Sequence, residues 1–257
     1  LIEWYRNTGW GVEQGFTLSE SPKGKGELIV YIDLSTNMDG KLDQDKRGIT
    51  FASGDGLTMR YGHLVVYDAN EVELESRMNY TPSQIVIRVE DLEATYPITI
   101  DPFIYLEQKV LATDGASGDW FGHSVAISED TALVGAPYDA IGANTAQGSA
   151  YVFIRNGTTW KQQMKLTALD GAANDWFGDS VALSNNMALV GAPYSSVGSK
   201  TAQGSVYVFL HNGTTWTQQM KFTALDGASD SNFGTSIAVD GDIALIGANN
   251  SAYVFVH

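Results

Sequence analysis

The sequence has 257 residues, a length that suits about two domains, and its 44% apolar content is that of a globular chain. A formal net charge of −15 disfavours nucleic acid and anionic membrane surfaces as partners, and the lack of cysteine excludes disulfides and thiolate metal sites. No apolar run reaches the roughly 18 residues that a membrane-spanning helix needs, and the chain opens at Leu1 without a signal-peptide pattern, as a mature or excised piece does.

The first eleven residues, with Trp4, Tyr5 and Trp10 among them, read as an irregular aromatic arm packed on a sheet. Alternating runs follow at 27–34, 49–51, 57–61, 63–67, 72–78, 84–89 and 95–100; the first carries Leu28, Val30, Ile32 and Leu34 on one face. Period-2 patterning in Val, Ile, Tyr and Thr, punctuated by Gly, Asp and Asn, predicts short antiparallel strands. With no sustained helical stripe, a β-sandwich is expected over residues 1–103. Asp39, Asp43 and Asp45 share one loop, but only the last two alternate, and Lys41, Lys46 and Arg47 compete with a metal. A solvated hairpin is therefore expected there in preference to a calcium loop, which needs converging oxygens. Pro97 and Pro102 cannot donate to a ladder and predict a sheet edge or a boundary.

Residues 104–257 repeat. Phe121, Phe177 and Phe233, each followed by glycine, are 56 residues apart, and Gly135, Gly191 and Gly247 keep the same step. Each repeat reads as up to four strands: 124–128, 132–136, 150–154 and 160–169 in the first, with counterparts in the others. Asn156 with Gly157, and Asn212 with Gly213, are strong hairpin signals. The first three strands are apolar or small and the fourth is polar, a gradient from buried to solvated that suits a propeller blade. The third repeat is shortened: Pro137 to Tyr151 is a step of 14, whereas Asn249 to Tyr253 is 4. Residues 104–113 align with a fourth strand, since Lys109, Lys165 and Lys221 fall in step, so either this segment completes the third repeat or that of a neighbouring copy, or the chain is a fragment of a longer propeller.

Phe-Gly followed by Gly-Ala-Pro resembles the signature of FG-GAP repeats, the blades of the integrin α-subunit β-propeller and of many secreted prokaryotic proteins. The third repeat departs from it, with Asn249 in place of proline. The resemblance implies an all-β chain: an N-terminal β-sandwich, 1–103, then three four-stranded propeller-type blades, 104–257. It also implies a calcium loop, which does not carry over, because Asp139 is the one carboxylate in the first connecting loop and the second has none. An acidic pair recurs before each Phe-Gly instead: Asp114 and Asp119, Asp170 and Asp175, and, one position out of step, Asp226 and Asp230. These are the calcium candidates; hydrogen bonding to turn amides is the alternative.

No nucleophile elbow, phosphate loop or zinc spacing is present, and His63, His123, His211 and His257 read as ordinary surface or turn histidines, so no enzyme activity and no bound cofactor are expected. Asn79, Asn156, Asn212 and Asn249 begin sequons and are candidate glycosylation sites. Trp120, Phe121, Trp176, Phe177 and Phe233 are expected in the blade core. The expectation for function is an extracellular or cell-surface structural or adhesive protein that binds copies of itself or extracellular proteins or glycans. The alternative is a carbohydrate- or protein-binding module of a larger secreted enzyme, with recognition by the loops 139–147 and 195–203.

Overall fold

A computed structural model describes every residue except 9–10, 24–25, 55 and 257; Trp10 and His257 thus lie outside the described residues. Among those residues it contains strands and no α-helix, and all of the paired strands are antiparallel. The chain divides into two compact units, Leu1–Lys109 and Val110–His257.

The first unit holds β1 (Ile2–Asn7), β2 (Val12–Leu18), β3 (Leu28–Asp33), β4 (Asp39–Leu42), β5 (Ile49–Ala52), β6 (Leu57–Tyr67), β7 (Ser76–Thr81), β8 (Gln84–Val89) and β9 (Ile98–Gln108). Six form one sheet in the order β1-β2-β9-β6-β5-β4, and three form another in the order β3-β8-β7. Alternate residues of both supply one core, with Ile49, Phe51, Val66 and Ile100 from the larger sheet and Met78, Ile85 and Ile87 from the smaller. The aspartate-bearing loop between β4 and β5 is a hairpin connection in which Asp43 pairs with Arg60, and Asp45 accepts the Arg47 N–H at 3.0 Å.

Three local expectations need correction. The aromatic arm is a strand: β1 pairs with β2 from Ile2↔Thr17 to Asn7↔Val12, and the Trp4 indole donates to Thr17 Oγ1 at 3.1 Å while its ring lies over Gly15. The runs at 57–61 and 63–67 are one strand, broken by a bulge between Gly62 and Val65 where His63 takes a φ of 53°. Pro102 lies inside the central strand β9, not at an edge, yet leaves no ladder donor missing. It falls opposite that bulge on one side and in a gap in the β2 register, between Glu13↔Phe103 and Phe16↔Ile100, on the other.

The second unit holds three sheets. The first is β10 (Val125–Ser128), β11 (Thr131–Ala136), β12 (Ser149–Asn156) and β13 (Thr159–Leu166); the second is β14 (Val181–Ser184), β15 (Met187–Ala192), β16 (Ser205–His211) and β17 (Trp216–Phe222). The third has only β18 (Ser236–Asp240), β19 (Ile243–Ala248) and β20 (Ser251–Val256). Strand order follows chain order in each, with identical registers such as Val134↔Tyr151, Val190↔Tyr207 and Ile246↔Tyr253. Residues 104–108 do not act as a fourth strand for any of them, because β9 carries them along β6, from Tyr61↔Ile104 to Leu57↔Gln108. This places the division between units after Lys109, later than 103. Only the end of the alignment keeps step: Thr113 N–H donates to Gln162 Oε1 at 2.9 Å, as Leu169 N–H does to Gln218 Oε1 at 3.1 Å.

Candidate functional site

The repeated motif is the joint between consecutive sheets. Phe177 is fully buried and meets Tyr207 and Phe209 of its own sheet edge-on, at 5.4 and 6.0 Å between centroids; Phe233 does the same with Tyr253 and Phe255. The glycine of each Gly-Ala-Pro packs on the Phe-Gly glycine of the next repeat. A Cβ at Gly135 would overlap the Gly178 carbonyl, and one at Gly191 would overlap that of Gly234. Glycine is required there because backbone meets backbone. A Cβ at Gly247 would meet only Ser236.

The long loops after Tyr138 and Tyr194 are straps. Thr145, Ala146 and Gln147 accept the main-chain N–H groups of Asn174, Trp176 and Phe177 at 2.9, 3.2 and 2.8 Å. Thr201, Ala202 and Gln203 accept those of Asp230, Asn232 and Phe233 at 2.9, 3.0 and 2.9 Å. Buried Gln147 and Gln203 add amide contacts to the Ala168 and Ala224 carbonyls. Much of each loop's polar backbone is thus spent on the neighbouring sheet.

The acidic pairs are explained by amides and by a built-in cation. Asp119 and Asp175 each close a turn, accepting the N–H of Ala116 at 2.6 Å and of Ala172 at 2.8 Å. In the third repeat this role belongs to Ser231, which accepts Ala228 N–H at 2.9 Å, and not to Asp230, whose own N–H is bound by the preceding strap. Asp114 and Asp170 receive the ammonium groups of Lys165 and Lys221, each at 2.7 Å. Lys165 holds the Asp114 carboxyl below its ordinary value, against a small effect of burial. Burial opposes the same shift at Asp170, and Lys221 and Tyr207 outweigh it. Asp226 has the Tyr253 hydroxyl at 2.9 Å, while the strand that would bring a lysine is absent from the third sheet. Among the described residues no group of three or more His, Asp or Glu is arranged to hold a metal.

Buried Asp139 accepts from Ser149 at 2.5 Å and Tyr151 at 3.0 Å and pairs with Lys165 at 2.7 Å; burial, chiefly, pushes the Tyr151 hydroxyl up to about 12. In the second repeat both ends are serines, Ser195 donating to Ser205 at 2.7 Å. Only the carboxylate is replaced: the equivalent serine, tyrosine and lysine are kept, and Tyr207 and Lys221 turn to Asp170 alone, so neither repeat buries an unpaired ion.

Two pairings were not legible from residue types alone. His123 and Asp179 occupy equivalent positions in consecutive repeats, and they face each other across the joint at 3.3 Å. Burial pushes the Asp179 carboxyl up, and His123 offsets part of that effect. The second concerns the tryptophans. Phe177 and Phe233 are core as expected, but Phe121 is half-buried, Trp176 is half-buried and Trp120 is 56% exposed. Trp120, Tyr138, Trp176 and Tyr194 form a continuous surface ladder instead, with centroid spacings of 4.4, 4.8 and 4.2 Å.

His63 lines a cleft with Arg47 and Arg60, whose charges are taken by Glu73 and Asp43, and His211 stacks on Trp216 at 5.0 Å. Of the sequons, Asn156 and Asn212 lie at exposed hairpin ends, Asn79 is half-buried in β7, and the Asn249 amide donates to Asp230 O and Asn232 Oδ1. No helix among the described residues is long and apolar enough to cross a membrane.

No curated protein matches the chain. The FG-GAP repeat family matches residues 105–153, 160–209 and 216–255, together more than half of the sequence, and these spans contain the two joints of phenylalanine, glycine and strap just described. The chain belongs to the FG-GAP repeat family.

Proposed function

We propose that this is an extracellular structural or adhesive protein of the secreted prokaryotic type, acting through surface contact and self-assembly. Its first unit is read as a β-sandwich and its three repeat sheets as propeller-type blades. The observation that carries the reading is the apolar face left at each end of the sheet series. Leu189 and Val208 of the second sheet are 1% and 6% exposed under the third sheet, while their counterparts Leu245 and Val254 are 46% and 64% exposed. At the other end Val125 is 68% exposed where its counterpart Val181 is 6%. Exposed apolar faces of this kind call for a cover, and each presents half of an interface that the chain already forms internally.

Sedimentation over a range of concentrations tests this. Head-to-tail oligomers are expected, and the double substitution Leu245→Asp and Val254→Asp is expected to return the protein to monomer without lowering its melting temperature. A protein that stays monomeric at every concentration overturns the assembly reading. The second reading, a carbohydrate- or protein-binding module of a larger secreted enzyme, is favoured by the exposed aromatic ladder.

A further inference from the structure

The aromatic ladder is not required by the fold. Trp120 and Trp176 hold φ of 58° and 57°, the left-handed region that bulky L-residues enter at a cost of about 1–2 kcal/mol. The third repeat has Asn232 at the same position with φ 50°, and Asn250 with φ 62° where the others have tyrosine. Asparagine tolerates this backbone, and its sheet keeps the same register. The tryptophans therefore bring strain to a surface position where a cheaper residue serves folding, a pattern found at binding sites.

The ladder also stops at an informative place. Tyr138 has Trp120 on one side at 4.4 Å and Trp176 on the other at 4.8 Å. Tyr194 has Trp176 at 4.2 Å, but the next position is Asn232, which turns its amide to the Pro193 carbonyl at 3.2 Å. Tyr194 is accordingly 43% exposed, and it borders a surface cleft of about 390 Å³ lined also by Asn174, Asp175, Ser196, Thr201 and Lys221.

We propose that Tyr194 and this cleft form a subsite for a neutral pyranose ring, packed on the exposed face of Tyr194 beyond the last ring of the ladder. A sugar ring offers a C–H face to an aromatic ring and hydroxyls to carboxylate, amide and hydroxyl groups, and the cleft presents both kinds of surface side by side. Lys221 in the cleft is already paired with Asp170, which lines it too, and the net charge of −15 opposes an anionic ligand. The subsite deepens the binding-module reading and is independent of self-assembly, whose faces carry Val125, Leu245 and Val254.

The test uses the whole chain with cellohexaose, chitohexaose, xylohexaose and mannohexaose as probes, read by calorimetry and by aromatic fluorescence. Saturable binding of at least one probe is expected. Tyr194→Ala removes the stacking face, and Asn232→Trp supplies a side chain that competes for it on a backbone that already accepts tryptophan in the other repeats. Each is expected to weaken binding about tenfold with an unchanged melting curve. No binding by any probe, or equal binding by both variants, overturns the proposal. So does preferential capture of an arginine- and lysine-rich peptide by the same residues. None of these outcomes bears on the oligomeric state, so the two readings fail separately.

Discussion

The second and third repeat sheets are written in nearly the same residues and differ in what lies against them. Both have a buried Phe-Gly phenylalanine held edge-on to their own tyrosine and phenylalanine, and both receive a strap from the repeat before. The second is covered on both faces, while the third has three strands, a short connection between its last two and an exposed outer face. The residues that make an FG-GAP repeat thus shape each sheet locally, whereas the burial of its outward face is supplied by the next repeat. Nearest-neighbour dependence of this kind is the general behaviour of repeat proteins.

The contrast is sharpest at Leu189 and Leu245. At concentrations low enough to keep the chain monomeric, Leu189→Ala is expected to cost about 3 kcal/mol in denaturant unfolding, and Leu245→Ala under about 1 kcal/mol, because only the first opens a cavity. Equal losses would mean that the third sheet is covered in solution and would break the distinction. A smaller difference is expected at the glycines. Gly191→Ala forces apart two backbones and is expected to cost about 2 kcal/mol more than Gly247→Ala, which meets only the Ser236 side chain. Calorimetric melts of the two variants settle this, and matching transitions would argue that the joint yields.

The smallest effect is electrostatic. The carboxyls of Asp114 and Asp170 lie below their ordinary value of 3.8, so the stability they contribute is present above that pH and is lost as pH falls through the lowered values. Burial raises Asp175 and Asp179, whose contribution runs the other way, being present in acid and lost as pH rises through the raised values. The lysine pairs are largely solvated, so Lys221→Met is expected to cost under about 1 kcal/mol at neutral pH. The difference from the unsubstituted protein should close in acid melts once Asp170 is protonated. A gap that persists there would assign the lysine's role to its ammonium over the Tyr207 ring, 5.0 Å from the centroid.

Much of the second unit could be read in advance. Period-2 runs, the Asn-Gly turns and the 56-residue step located its strands to within a few residues, because these signals are local. The calcium candidates divided along the same line. Asp119 and Asp175 cap turns, as their position beside glycine suggested, but the ammonium groups that satisfy Asp114 and Asp170 lie 51 residues further along the chain. The loops expected to recognise a ligand are also straps, which the sequence did not suggest, since their hydrogen-bond partners come from the following repeat. Trp120 and Trp176, expected in the core beside their phenylalanines, are turned outward by a positive φ that hydrophobicity does not reveal.

By itself the sequence determined the all-β class, the repeat boundaries and the glycines at the joints, all of which rest on patterns within one strand, one turn or one period. Tertiary structure alone decided that residues 104–108 extend a sheet of the first unit, that His123 meets Asp179, and that four aromatic rings line up across two repeats. Each of these depends on which backbone comes to lie beside which, and a repeat encodes its own sheet far more directly than it encodes its neighbour's contacts.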